Sequence, residues 1–154
     1  MIVGYYMKLL ASADDSIVRS YFQIRLDQLR WAKKADENAC AALATNTFDI
    51  RQRVPAELYE RESNWVRLAI THSRKGETSA PSARDANEVM RRLSERVSAD
   101  AISAVEHPEL YAERGQILCE GTLELYEAIR GLPLGDRTSV ARHLFTSKAN
   151  VIGT

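Results

Sequence analysis

Arg25, Glu62 and Arg114 are the residues of this chain whose placement most invites chemistry, because each falls near the middle of an otherwise apolar helical face. An unpaired buried charge costs on the order of several kcal/mol, so such residues pair, reach water, or wait for a partner. If the three meet inside the fold, they form a buried polar cluster that could receive an ionised group. The competing expectation is a structural ion pair, or long stems that cover the core while their heads reach solvent.

Residue types that support catalysis are present but do not form a constellation. His72, His107 and His143 lie far apart, with no H-E-x-x-H and no carboxylate at metal-ligand spacing. No phosphate-binding loop, no G-x-G-x-x-G after a strand and no G-x-S-x-G occurs. Glu124 and Glu127 share a helical face at i and i+3, expected to point to solvent, but lack the Glu-x-x-His pattern of di-iron bundles. No catalytic residue, cofactor or metal is assigned on these grounds, and an enzyme of unrecognised class is the least favoured alternative.

A second group of residues has the chemistry of nucleic-acid contacts. The stretch GLPLGDRTSVARHLF, residues 131–145, turns through Gly and Pro into a short helix carrying Arg137, Thr138, Ser139 and Arg142. Such side chains meet phosphates and base edges from a helix-turn-helix, which makes a DNA-binding regulator the alternative reading. Against it, the turn over 131–135 is longer than the usual three or four residues, and the preceding helix is acidic. The bland expectation is a terminal helix packing Val140, Ala141, Leu144 and Phe145 onto the rest.

The elements that must position these residues are helices almost throughout, because apolar residues recur at three- and four-residue spacing and no stretch alternates with β-branched enrichment. The first helix is expected from a Ser12-x-x-Asp15 cap to about Ala44, stopped by Thr45-Asn46-Thr47. A second begins at Pro55 and ends near Ser73, before a loop over 74–85 rich in Gly, Ser, Pro and charge. A third opens after the Ser82-x-x-Asp85 pattern, pauses at Ser98 and runs to about Glu106; a fourth spans Pro108 to Arg130; a short last helix follows an Asp136 cap to about Lys148.

The expected fold is therefore all-α, an up-and-down bundle of four main helices with a short C-terminal helix, over one domain of 154 residues. Residues 1–13 are apolar enough to pack on something, or else form a flexible leader foreign to the domain. They make a poor signal peptide and are too short to span a bilayer. Gly121 sits on the apolar side of the fourth helix, where it predicts close approach by a neighbour.

Composition narrows the function class. Apolar residues at 45% and charged residues at 27% suit a globular protein, and 21 basic against 21 acidic residues give no global attraction to nucleic acid or anionic membrane. Charge is uneven locally: Glu106, Glu109, Glu113, Glu120, Glu124 and Glu127 make the fourth helix acidic, and Arg74, Lys75, Arg84, Arg91, Arg92 and Arg96 make the region before it basic. Cys40 and Cys119 form neither a disulfide framework nor a C-x-x-C, so both are expected to be reduced thiols in a cytoplasmic protein. The leading expectation is a non-enzymatic interaction, adaptor or regulatory module that binds another protein or a second copy of itself. Trp31, Leu68 and Leu123, lying off the main apolar faces, are its candidate contacts.

Overall fold

The computed structural model describes residues 2–45, 54–74 and 85–146. These are all-α, as the periodicity predicts, but the helices are shorter and more numerous than expected. In chain order they are α1 (Ile2–Ser12), α2 (Asp15–Ala35), α3 (Glu37–Ala44), α4 (Ala56–Arg74), α5 (Ala86–Ser94), α6 (Ala99–Glu106), a 3-10 turn (Pro108–Tyr111), α7 (Gly115–Arg130) and α8 (Leu134–Thr146).

Each unforeseen break has a local cause. Asp36 adopts extended backbone and accepts a hydrogen bond from the Asn38 amide, so it ends α2 and caps α3 where one long helix was expected. The pause expected at Ser98 is a full break: its hydroxyl accepts from the Ala101 amide and starts α6. The fourth predicted helix begins at Gly115 rather than Pro108, because Pro108 starts only a 3-10 turn whose Tyr111 is buried and donates its hydroxyl to Asp100. At the start of α2 the capping residue is Asp14, not Ser12, and α8 begins before Asp136, which lies buried in its first turn. The loop residues 75–84 and the stop at 46–47 lie outside the described residues.

The long α2 is the central element, packing against α3, α4, α7 and α8. Its inward face, with Ile17, Val18, Tyr21, Phe22, Leu26, Leu29 and Ala32, is almost wholly removed from water. The segment read either as a leader or as a packed end is helical from Ile2 to Ser12, and it buries Leu9 and Leu10 against α8 and α4. Gly121 does mark a close approach: a Cβ there would lie 3.1 Å from the Asp100 carbonyl oxygen and 3.2 Å from the Ala101 Cα. That contact seats α6 on α7. No described helix is long and apolar enough to cross a membrane.

Candidate functional site

The centre of the fold is an aromatic cluster with charge inside it. Tyr6 of α1, Tyr21 of α2 and Trp65 of α4 pack ring against ring, with Tyr21 and Trp65 centroids 4.6 Å apart. Phe22 stacks on Tyr126 of α7, and Phe145 of α8 closes on Tyr21 from the other side. The indole N–H of Trp65 donates to the Ile17 carbonyl at 2.8 Å, so the largest ring carries no unmet donor.

Arg25 and Glu62 both lie buried beside this centre, near enough for the guanidinium to act on the carboxyl through charge. Arg25 is 7% exposed and Glu62 4%, and they come from α2 and α4. Arg25 donates to the Gln28 side-chain oxygen at 3.2 Å and to the Leu43 carbonyl at 2.5 Å, which ties α2 to the last turn of α3. The Tyr126 phenol lies close enough for the guanidinium to offset part of the effect of its burial. Gln28 lies against Glu62, yet the Glu62 Oε2 and Gln28 Nε2 atoms make no hydrogen bond of good geometry. A buried carboxylate in that position is under-satisfied.

Electrostatics follow from that burial. Loss of water pushes the Glu62 carboxyl above its ordinary range, and the nearby Arg25 guanidinium and Gln28 amide offset this only in part. Burial likewise pushes the Tyr6 phenol up to about 12, and raises Tyr21 and Tyr126 as well. The phenols therefore stay protonated near neutral pH. Chemically the arrangement holds a cation and a proton-binding carboxyl inside a shell of rings.

Arg114 does not join them. It is exposed, precedes the first turn of α7, lies over the Tyr111 ring at 4.8 Å and donates to the Leu110 carbonyl. The physical reason is the break after Tyr111: Arg114 sits on an inward face only if the helix is continuous from Pro108. In place of Arg114, the buried Gln28, Tyr21 and Tyr126 surround Arg25, and residue type and spacing had singled out none of the three.

The residues of the DNA-binding alternative are turned toward the protein. Thr138, Ser139 and Arg142 are buried. Arg142 donates at 2.7 Å to the Leu10 carbonyl, at 2.8 Å to the Ala13 carbonyl and at 2.8 Å to the Asp15 carboxylate, so it caps the end of α1 and clamps it to the start of α2. Thr138 accepts from Arg19 and donates back to the Leu134 carbonyl. Arg137, half-buried, donates to the Leu132 carbonyl. A recognition helix requires these groups in solvent, and the register of α8 spends them on its own bundle.

Of the candidate contacts Trp31, Leu68 and Leu123, only Leu68 stands in solvent, at 47% exposure. Trp31 and Leu123 are half-buried against the main core. Periodicity alone missed Tyr5, 46% exposed on α1, because residues 1–13 carried no face assignment. Tyr5 borders a shallow cleft of about 180 Å³ with Lys8, Leu9, Ile70 and Ser73, along the seam between α1 and α4. Tyr59 of α4, also exposed, faces Tyr6 on the same seam.

The acidic and basic stretches are partly satisfied within the chain. Glu127 takes a two-pronged contact from Arg30 at 2.6 and 2.7 Å, which holds its carboxyl below the usual range. Glu124, expected to face solvent without a task, accepts from the Ser98 amide and hydroxyl and caps α6. Arg91 pairs with Glu88 and Glu95, and Arg92 approaches the buried Asp136 at 3.7 Å.

The expected pair of reduced thiols is instead a disulfide. Cys40 on α3 and Cys119 on α7 are joined across 79 residues of sequence, with Cα atoms 5.3 Å apart. Sequence spacing could not reveal this, since the pairing depends on α3 and α7 packing side by side. Among the described residues no group of three or more His, Cys, Asp and Glu could hold a metal ion. Compared with known families, curated proteins and solved structures, the chain matches none.

Proposed function

We propose that this chain is a non-enzymatic helical interaction module, and that the seam between α1 and α4 is its contact face. The observation that carries the reading is the exposed Tyr5 beside the cleft with Leu9 and Ile70. Exposed aromatic side chains next to a small apolar recess are typical anchors of protein contacts. Tyr59, also exposed, lies on nearly the same side of α4 as Ile70 and adds a second ring to this seam, whereas Leu68 lies on the opposite side of that helix, away from it.

The occupant is another protein or a second copy of this chain. Balanced charge, 21 basic against 21 acidic residues, leaves little repulsion between copies, so self-association is the first case to test. The expectation of a cytoplasmic home rested on reduced cysteines, and the disulfide removes that ground.

Sedimentation across about 1 to 100 μM tests the reading, a range that spans the affinities of ordinary transient contacts. The expected result is association that weakens when Tyr5→Glu is introduced, with unchanged helicity. A strict monomer that also captures no partner from its native cells counts against the module.

A further inference from the structure

We propose that the occupant of the α1–α4 seam is a second copy of this chain, docked so that the two α4 helices run antiparallel about a two-fold axis near Ser63 and Asn64. That pairing rests on the seam being the contact face, and it fixes the partner, the orientation and the register.

The side of α4 next to the cleft carries both signs of charge in a self-matching order. From the seam outward, Tyr59, Ile70, Ser63, Ala56, Arg67 and Glu60 follow one another across about 100° of the helix surface. Tyr59, Ala56, Arg67 and Glu60 are exposed, and Ser63 and Ile70 are half-buried. Glu60 has no hydrogen-bond or ion-pair partner among the described residues, and Arg67 reaches only the Asn64 side-chain oxygen, at 3.4 Å. Both charges are therefore available to a second molecule.

Glu60 and Arg67 lie equally far on either side of the midpoint between Ser63 and Asn64, about 5 Å along the axis in each direction. A half turn about that midpoint brings Glu60 of each copy level with Arg67 of the other, and two identical ion pairs result. A parallel pairing would instead set each charge against its own kind, which is repelled. A face of one sign calls for a partner of the opposite sign; a face with both, evenly spaced about a centre, matches itself, as a two-fold contact requires. At the centre the small Ser63 lets the two helices approach closely. Next to Ile70, Thr71 comes level with Ala56 of the second copy, whose methyl group leaves room for the Tyr5 ring. Lys8, beside Ser73 in the cleft, lies near the other end of α4 from Glu60 and outside these pairs. Exposed ion pairs set register and orientation more than affinity, so the rings of Tyr5 and Tyr59 with Ile70 supply the apolar contact.

Sedimentation equilibrium of the full chain over about 1 to 100 μM, with helicity checked for every variant, tests the pairing by charge reversal. Glu60→Arg and Arg67→Glu, each alone, oppose like charges at both sites and should weaken self-association at least about tenfold. The double variant Glu60→Arg, Arg67→Glu restores opposite charges and should return to within about threefold of the unmodified chain. An equimolar mixture of the two single variants should form a mixed dimer at least as tightly as the unmodified chain, because both cross pairs then carry opposite charges. Glu113→Arg makes the same charge change on an exposed residue away from the seam and should leave association unchanged, which separates pairing from net charge. If Tyr5→Glu disrupts association while the reversals behave like Glu113→Arg, the antiparallel pairing is overturned and the seam still stands as a contact face. Weakened single variants that neither the double variant nor the mixture rescues overturn the pairing too. A monomer at every concentration overturns the second copy as occupant and leaves the seam to be judged by capture of another protein.

Discussion

At the scale of single residues, Glu62 is the group whose environment makes the clearest demand. Its carboxyl is raised, chiefly by burial, so the folded state holds that proton more tightly than the unfolded chain does. The stability this contributes is complete below the unfolded carboxylate value and is lost as pH rises through the higher folded value. Glu62→Gln removes the titration. In urea unfolding at a series of pH values, wild type minus variant stability should therefore fall as pH rises from the acidic range toward neutral; a difference that grows instead would mean that Arg25 holds the carboxylate ionised. Arg142 makes a different demand, because three anchors depend on one buried guanidinium. Arg142→Met keeps much of the stem but leaves the Leu10 and Ala13 carbonyls without that donor, at an expected cost of about 2 to 4 kcal/mol by denaturant titration. Arg142→Lys should recover only part of this, since a single ammonium cannot reproduce the spread of the guanidinium.

At the scale of elements, the α6–α7 contact sets a limit on side-chain size. Gly121→Ala gains about 1 kcal/mol of helix propensity, but its new Cβ would press on the backbone of Asp100 and Ala101, atoms that move only if α6 moves. Overpacking of this kind typically costs about 1 to 3 kcal/mol, so the net change is expected to be a loss. Gly115→Ala is the control: its Cβ meets only Ala41 at 3.4 Å, and the midpoint of thermal unfolding should hardly move. If both variants behave alike, the close approach at Gly121 is not what limits this helix pair. Helix boundaries follow the same local logic. Asp36 and Ser98 are capping residues by type, and both mark real helix starts that a reading weighted toward apolar periodicity runs through.

At the scale of the whole molecule, the disulfide constrains more chain than any other feature described. Closing a loop across 79 residues lowers the entropy of the unfolded chain by an amount worth about 4 to 5 kcal/mol in the chain-entropy model. The Cys40→Ser, Cys119→Ser pair should therefore unfold at markedly lower denaturant concentration than the oxidised wild type; coincident curves would show that the link adds nothing to global stability. The sequence by itself determined that the chain is all-α, that Arg25 and Glu62 face inward, and that Gly121 permits a close neighbour. These are consequences of period and residue type, which act over one or two helical turns. Only the tertiary structure decided that Arg114 lies outside, that Arg142 and Thr138 face the bundle, and that Cys40 meets Cys119. A three-residue interruption near Ala112 re-phases everything read across it, and a pairing across 79 residues is fixed by which helices come to lie side by side, for which spacing in a single chain carries no signal.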